Sequence, residues 1–243
     1  QMICDLNEGY AIYRPRYILP DYNVYIKKGC EFLELPAPKN LDEALDGLLI
    51  LYSHVPSITT FPVYIGRLDM LLDPFITDEE QDYIKIKRFL NHVDKTVPDS
   101  FCHANIGPYD TKAGRLILKA VIELEAPTPN MTIRYDKSKT SREFAELAAK
   151  ACLLVSKPSF ANDAYYISDL GEQYGIASCY NALPECGGAY TLTRLRLGTI
   201  ARACKTVDEM VNELLPRVAK CALSTMDKRH KFVVEESNFF NTS

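Results

Sequence analysis

The sequence predicts an α/β fold, either barrel-like or layered. Short strand candidates alternate along the chain with helical segments of about 10 to 16 residues. Apolar residues make up 47% of the 243 residues, enough for a substantial buried core. No repeat, low-complexity tract or Gly/Ser linker interrupts the pattern, so residues 1–243 are expected to form a single domain.

Two amphipathic helices are predicted in the first hundred residues. The segment "LDEALDGLLILYSHV" has helical spacing, and Pro56 is expected to end it. Its apolar stripe consists of Leu41, Ala44, Leu45, Leu48 and Leu49. The segment "TDEEQDYIKIKRFLNHVDKTV" begins with Thr77 as the expected N-cap and carries acidic residues in its first turn.

Strands and helices then alternate. "DSFCHANIG" (99–107) is a strand candidate, and a helix over 110–126 is expected to end at Pro127. "NMTIRYD" (130–136) alternates like a strand. A helix over 141–154 follows, capped by its first serine.

The last third of the chain continues this order. We expect a short strand in "KPSFAND" (157–163), a turn or short helix in "DLGEQYG" (169–175), and a strand in "AYTLTRLRLG" (189–198). A final helix runs from about Thr206 through "VDEMVNELLPRVAKCAL", with Pro216 as a kink.

Charge and composition narrow the classes of partner. The net charge is -4, and the basic residues are scattered, which argues against nucleic acid and anionic membranes. The longest apolar run, "LDGLLILY", contains Asp46 and is too short to span a bilayer. The first twenty residues lack the apolar core of a secretory signal, so a cytoplasmic protein acting on small molecules is expected.

The eight cysteines are expected to be reduced thiols, because the chain is long and has no secretory signal. No pair has CxxC spacing, and the four histidines form no HExxH pattern, so no metal site is predicted. Cys152, Cys204 and Cys221 lie within helical patterns or close to them and are expected to fill the core, as is Cys186.

Cys179 has a different setting, in "YGIASCYNALPECGGAYTL" (174–192). It is placed on a loop among Gly175, Ala177 and Ser178, where small residues let the backbone turn tightly. A nucleophilic cysteine needs a base, and His103 at a strand end is the candidate. This leaves two alternatives. Either the protein is a cysteine hydrolase with a reactive Cys179 thiolate and His103 as its base, or His103 is a hydrogen-bonded core residue.

Three segments resemble the glycyl radical enzymes of the formate-lyase type. They are "GRLDMLLDPF" (66–75), "PTPNMTIRY" (127–135) and "YGIASCYN" (174–181), in the family's order and at similar intervals. The stretch "SCYNALPECGGAYTL" is most similar to the YjjI-type branch.

The resemblance implies a ten-stranded α/β barrel built from two half-barrels, in which a cysteine loop meets a glycine-bearing loop. A glycyl radical would take the hydrogen atom of Cys179, and the thiyl radical would take one from a small organic substrate in lyase or acyl-transfer-like chemistry. The radical would be installed anaerobically by a separate S-adenosylmethionine-dependent iron–sulfur activase. No R-V-x-G-Y-like segment precedes Ser243, so the glycyl radical domain is expected to be missing and this chain inactive alone.

The chain departs from the family at several positions. Ser178 replaces the first of the two adjacent cysteines of formate lyases, which disfavours thioester chemistry, and Asn181 replaces the glutamate of dehydratases. The nearest acid, Glu185, is either a general base with a raised pKa or a solvated loop carboxylate. Arg194 lies near the position of a carboxylate-binding arginine in relatives, although surface exposure or a structural ion pair explains it equally well.

The predicted site therefore has Cys179 and Glu185 as catalytic residues and His103 and Arg194 as substrate-binding residues. The alternative function is a non-catalytic barrel relative that serves as a binding or assembly module. The sequence leaves the oligomeric state open, a homodimer included.

Overall fold

The computed structural model describes residues 3–5, 16–57, 59, 63–96, 102–125, 129–177, 180–189 and 193–236. The chain divides into two compact units. The larger comprises Ile18–Ser57 and Phe61–Gly188, and the smaller comprises Gln1–Tyr17, Ile58–Thr60 and Ala189–Ser243.

Strands and helices alternate through the larger unit and continue in the smaller one. The strands are β1 (Ile3–Asp5), β2 (Tyr17–Ile18), β3 (Val63–Arg67), β4 (Cys102–Ile106), β5 (Asn130–Tyr135), β6 (Ser159–Asn162), β7 (Tyr174–Ala177), β8 (Asn181–Pro184), β9 (Gly188–Ala189) and β10 (Thr193–Leu195). The helices are α1 (Tyr22–Lys28), α2 (Leu41–His54), α3 (Leu68–Leu72), α4 (Glu79–Thr96), α5 (Lys112–Leu124), α6 (Arg142–Val155), α7 (Asp163–Leu170), α8 (Leu197–Arg202), α9 (Val207–Glu209) and α10 (Leu215–Glu235).

A four-stranded parallel sheet in the order β3-β4-β5-β6 forms the centre of the larger unit. Each strand is joined to the next through helices, as parallel pairing requires. The predicted α/β class is confirmed, as are strands over 130–136 and 157–163. The described residues contain no closed barrel.

The two faces of this sheet differ in chemistry because successive side chains on a strand point to opposite sides. One face packs into a continuous apolar core with α2, α4, α5 and α6. Its strand residues are Val63, Ile65, Cys102, Ala104, Ile106, Met131 and Ile133. The other face, called the polar face below, carries buried Tyr64, His103, Asn105, Thr132 and Arg134.

Local capping fixes where the helices of the larger unit begin. Ser141 caps α6 as predicted, with its hydroxyl accepting from the Phe144 amide at 3.1 Å. The N-cap predicted at Thr77 is wrong by one residue. The Asp78 carboxylate accepts from the amides of residues 80 and 81, because it is placed one position before the first helical residue. Helix α2 ends at His54, just before Pro56, as predicted.

An antiparallel hairpin of β7 and β8 follows α7. The sequence predicted a turn or short helix over 169–175 and no hairpin. The structure instead ends α7 at Leu170 and starts β7 at Tyr174. The hairpin register runs from Tyr174 opposite Pro184 to Ala177 opposite Asn181.

The smaller unit contains the antiparallel pair β1–β10 and the C-terminal helices. The strand predicted over 189–198 is too long at its end, since Leu197 begins α8; residues 190–192 lie outside the described residues. A π-helical turn over Met210–Leu214 directly precedes Pro216, the irregularity expected where proline removes a backbone donor.

No helix in the described ranges is long and apolar enough to cross a membrane.

Candidate functional site

The β7–β8 hairpin lies against the polar face of the sheet, held there by a buried asparagine. The Asn105 side chain donates to the Ile176 carbonyl oxygen at 2.9 Å and accepts from the Ile176 amide at 2.8 Å. Asn105 is fully buried, so both bonds are shielded from water. This side chain therefore pairs with β7 much as a neighbouring strand would.

Arg134 holds the start of the same strand. Its guanidinium forms an ion pair with Asp163 at 2.7 Å and donates to the carbonyl oxygens of Tyr174 and Glu172 at 3.1 and 3.2 Å. It also lies 3.8 Å from the centroid of the Tyr174 ring, whose hydroxyl donates to Asp163. A planar cation with several fixed donors suits this role better than lysine would.

Close packing explains the glycine in β7. A Cβ atom on Gly175 would lie 2.5 Å from the Tyr64 hydroxyl oxygen, which is too near for any side chain. The prediction that Gly175 permits a tight turn is wrong, because the residue is in an extended strand. It allows the hairpin to approach the polar face.

Residues 178–180 connect the last pair of the hairpin, Ala177 and Asn181. Cys179, the predicted radical carrier, and Ser178 lie outside the described residues. Tyr180 completes the connection in the left-handed backbone region, at φ 65°. A non-glycine residue in this backbone region is uncommon.

Tyr180 contacts the side chains of His103 and Lys157, at the amino-terminal end of the sheet or beside it. Its ring meets the His103 ring edge-on, with centroids 6.4 Å apart. Its hydroxyl accepts from the Lys157 ammonium at 3.3 Å, and Lys157 also donates to the Asn130 side chain. This hairpin tip is therefore next to a histidine and a lysine.

His103 is buried, with 1% of its surface exposed, and neither ring nitrogen has a hydrogen-bond partner among the described residues. Burial, reinforced by the positive charge of Lys157, lowers its pKa from 6.5 to about 4. The imidazole is thus neutral near pH 7. The expectation of a core histidine is confirmed by its burial, but the expected hydrogen bond is absent among the described residues.

A cavity of about 380 Å³, called the tip cavity below, opens beside Tyr180. Its walls include Thr132, Ser159, Asn162, Tyr165, Tyr166 and Tyr180. Thr132 is 1% exposed, and its hydroxyl has no hydrogen-bond partner within the described part of the chain. An unpaired buried hydroxyl is costly unless something in the cavity bonds to it.

Glu185 lies at the open end of the hairpin, beyond Pro184, where its amide donates to the Gln173 carbonyl oxygen at 2.9 Å. Four residues of extended strand, about 13 Å, separate it from the hairpin tip. Burial and the Asp21 carboxylate raise its pKa, whereas Arg67 and Arg134 oppose the rise. Glu185 is half-buried rather than solvated. Its catalytic role stays a prediction.

Arg194 lies on β10 in the smaller unit, where it is exposed and opposite Cys4 in the register. Its proposed binding of a carboxylate stays a prediction.

Two of the expected core cysteines prove to be exposed: Cys186, in a left-handed turn, and Cys221, on α10. Those two predictions are wrong because a helix or turn buries only one of its sides. Cys152 and Cys204 are partly buried.

Arg67, the last residue of β3, and Asp69, in α3, have a structural role. Asp69 accepts from the Gly107 amide at 2.8 Å, and Arg67 donates to the Gly107 carbonyl oxygen at 3.2 Å. Complete burial raises the pKa of Asp69 to about 6. Both residues join β3 to the turn after β4.

Sequence reasoning missed Asn105, Thr132, Arg134 and Lys157 as parts of the site. Alternation in "CHANI" and "NMTIRY" was a usable signal, because polar residues recur at every second position of otherwise apolar strands. In the described ranges, no group of three or more His, Cys, Asp or Glu side chains could hold a metal ion.

Comparison with known proteins identifies the family that this chain matches. A family model described as "Glycyl radical enzyme YjjI-like" matches residues 1–243. The chain is 93% identical over 243 residues to a protein of Haemophilus influenzae (strain ATCC 51907 / DSM 11121 / KW20 / Rd) described as uncharacterized, covering all of this chain and 47% of that protein. It is 44% identical over 245 residues to "Uncharacterized protein YjjI" of Escherichia coli (strain K12), covering all of this chain and 48% of that protein. The chain thus spans about half the length of these relatives.

Proposed function

Because the chain belongs to the YjjI-like family of glycyl radical enzymes, we propose that Cys179 is the hydrogen-atom carrier of such an enzyme and acts on a small organic substrate. The observation that carries this proposal is the position of Cys179 in the three-residue connection of a hairpin bound to the polar face. Both strands that lead to this connection are anchored by described residues.

The chemistry transfers hydrogen atoms and not protons. In the complete protein, the glycyl radical accepts the hydrogen atom of the Cys179 thiol. The S–H bond of Cys179 breaks homolytically, and the sulfur radical then takes a hydrogen atom from a C–H bond of the substrate, which restores the thiol. Each transfer moves one hydrogen atom with one electron, so no other oxidant or base is required.

A buried and neutral His103 supports radical chemistry over hydrolysis. A cysteine hydrolase needs a thiolate paired with an imidazolium. With a pKa of about 4, His103 would give up its proton well below neutral pH. In this proposal, His103 is uncharged and does not act as a base, and its role in binding substrate stays a prediction.

The anchoring of β7 supports the same function. Asn105 and Arg134 hold Ile176 and Tyr174, the residues that lead to the hairpin tip. A radical carrier must be placed close to both its glycyl partner and its substrate, because atom transfer requires near contact.

We further propose that β3–β6 belong to a ten-stranded barrel whose other strands lie in the rest of the longer relatives, with residues 1–243 as one domain and the glycyl radical domain elsewhere. A separate S-adenosylmethionine iron–sulfur activase would install the radical, and the oxygen-sensitive protein would work in the cytoplasm. With Ser178 in place of a second cysteine, lyase chemistry is favoured over acyl transfer.

The test compares Cys179→Ala with the matched variant Cys186→Ala in the complete protein, activated anaerobically. A mixture of small metabolites is incubated with each protein, and mass spectrometry identifies the compounds consumed. We expect the wild type and Cys186→Ala to consume the same compounds and Cys179→Ala to consume none, while all three show the glycyl radical signal. Consumption by Cys179→Ala would refute the assignment and favour a site elsewhere.

A further inference from the structure

We propose that the tip cavity binds an uncharged, hydroxylated small molecule such as a polyol or sugar. Resting on the proposed function, we also infer that this molecule is the substrate class of Cys179. The binding itself does not depend on the radical, so the two proposals can fail separately.

The chemistry of the walls selects an uncharged ligand. No Asp, Glu, Lys, Arg or His side chain is among the described residues that line the tip cavity. A carboxylate or phosphate would lose part of its hydration there without contacting a counter-charge in the described wall, which is unfavourable. Two larger cavities differ from it in charge. The one of about 710 Å³ adjoins the tip cavity, sharing Phe160, Ala161 and Asn162 with it, and is also lined by Asp136 and Lys137. The one of about 610 Å³ is lined by several acids and lysines of α4, α5 and α6.

The unpaired hydroxyl of Thr132 indicates that the ligand carries hydroxyl groups. Its buried hydroxyl is unpartnered among the described residues and can both donate and accept a hydrogen bond. Ser159 and Asn162 add further polar groups of the same mixed character. A ligand hydroxyl, which also donates and accepts, satisfies such groups without introducing charge.

Aromatic walls account for the remaining surface. Tyr165, Tyr166 and Tyr180 line the cavity with Ile176. The C–H surfaces of a polyol or sugar can pack against these rings while its hydroxyls bond to the polar groups. A volume of about 380 Å³ suits a small metabolite.

The nearby lysine does not change this conclusion. Lys157 is not among the lining residues, and its ammonium is 5.9 Å from the centroid of the Tyr180 ring. Two of its three donors are directed at Asn130 and the Tyr180 hydroxyl. Its ammonium therefore lies outside the described wall of the tip cavity, with two of its donors already used.

The test is calorimetry on the complete, unactivated protein. The probes are glycerol, D-xylose and D-glucose, each paired with its carboxylate counterpart: glycerate, D-xylonate and D-gluconate. We expect at least one uncharged probe to bind about tenfold or more tightly than its counterpart, the effect of one or two uncompensated polar contacts. Binding of none of the uncharged probes, or tighter binding of a carboxylate, would overturn the proposal.

Thr132→Val locates the binding. We expect the uncharged probe to bind Thr132→Val about tenfold more weakly, because a hydroxyl contact is lost. The Tm of this variant should be unchanged or raised, because an unpaired buried hydroxyl is removed. Thr225→Val, on the exposed side of α10, serves as the matched control and should bind normally. Unchanged binding in Thr132→Val would show that the ligand lies elsewhere. Since the protein carries no radical in this assay, the result is independent of the role of Cys179.

Discussion

At the scale of single residues, the polar face contains two buried groups in opposite circumstances. Arg134 is charged and has an anion, two carbonyl oxygens and an aromatic ring as partners. His103 has no hydrogen-bond partner in the described ranges and is neutral near pH 7. A buried charge must be paired, whereas a neutral polar group can remain available for a ligand at lower cost.

The lowered pKa of His103 predicts how stability depends on pH. Since the folded-state pKa is about 4 and the ordinary value is 6.5, the unfolded chain binds more protons between these values. His103 therefore destabilises the fold as pH falls from 6.5 to 4, by up to about 3 kcal/mol. Above pH 6.5 it is neutral in both states and has no effect.

The measurement is urea unfolding of the complete protein and of His103→Leu at several pH values. We expect the difference in unfolding free energy between the two proteins to change through the window from pH 6.5 to 4 and to be constant from pH 7 to 8. Asp69 also makes stability depend on pH: its pKa is raised to about 6, so its stabilising effect is lost as pH rises. Because Asp69 is present in both proteins, its contribution cancels in the difference between their unfolding free energies. A difference that does not vary with pH would contradict the lowered pKa.

At the scale of elements, the hairpin is fixed by side chains of the sheet and not only by its own ladder. The Asn105 side chain satisfies both backbone groups of Ile176, the middle of β7. Without it, two buried backbone groups would be left unpaired, each at a cost of about 1–3 kcal/mol. The position of the hairpin tip thus depends in part on an asparagine three strands earlier in the sequence.

Asn105→Leu tests this anchoring, because leucine keeps the approximate volume and removes both hydrogen bonds. We expect amide hydrogen exchange at Ile176 to become at least about tenfold faster, reporting local opening of β7. Asn212→Ala, at an exposed position before Pro216, is the control and should leave Ile176 unchanged. Equal protection of Ile176 in Asn105→Leu and the wild type would show that other contacts hold the hairpin.

The sequence predicted the long helices and missed the short β7–β8 hairpin, for a physical reason. Helices α2, α4, α5 and α6 have 13 to 18 residues, so their apolar periodicity is unambiguous. Strands β7 and β8 have four residues each, too few to show a period. Their structure depends on Asn105 and Arg134, which are distant in sequence and act only after the sheet has formed.

At the scale of the whole molecule, the residues predicted for the site differ from those that the structure brings together. Local sequence patterns do not record contacts between distant segments. The resemblance drew attention to Cys179, Glu185 and Arg194, which are near one another in sequence. The groups that gather around the hairpin, such as Asn105, Thr132 and Lys157, come from three different segments. Parallel β-α-β connections bring such segments together, and no local pattern records that proximity.

The family assignment and the fold agree at this scale. The described residues form a parallel sheet with a buried polar face, and the β7–β8 hairpin, whose connection includes Cys179 in the sequence, is bound to that face. The chain covers 47% and 48% of its two relatives. The central claim concerns the complete protein: Cys179 exchanges hydrogen atoms with the glycyl radical.

The most direct test is electron paramagnetic resonance of the activated complete protein, prepared in H₂O and in D₂O without substrate. A thiol hydrogen exchanges with solvent, so transfer to the glycine and back should replace the glycine α-hydrogen by deuterium. We predict that the doublet caused by that hydrogen collapses in D₂O for the wild type and for Cys186→Ala, and persists for Cys179→Ala. A doublet that collapses equally in Cys179→Ala, or that never collapses in the wild type, would contradict the account.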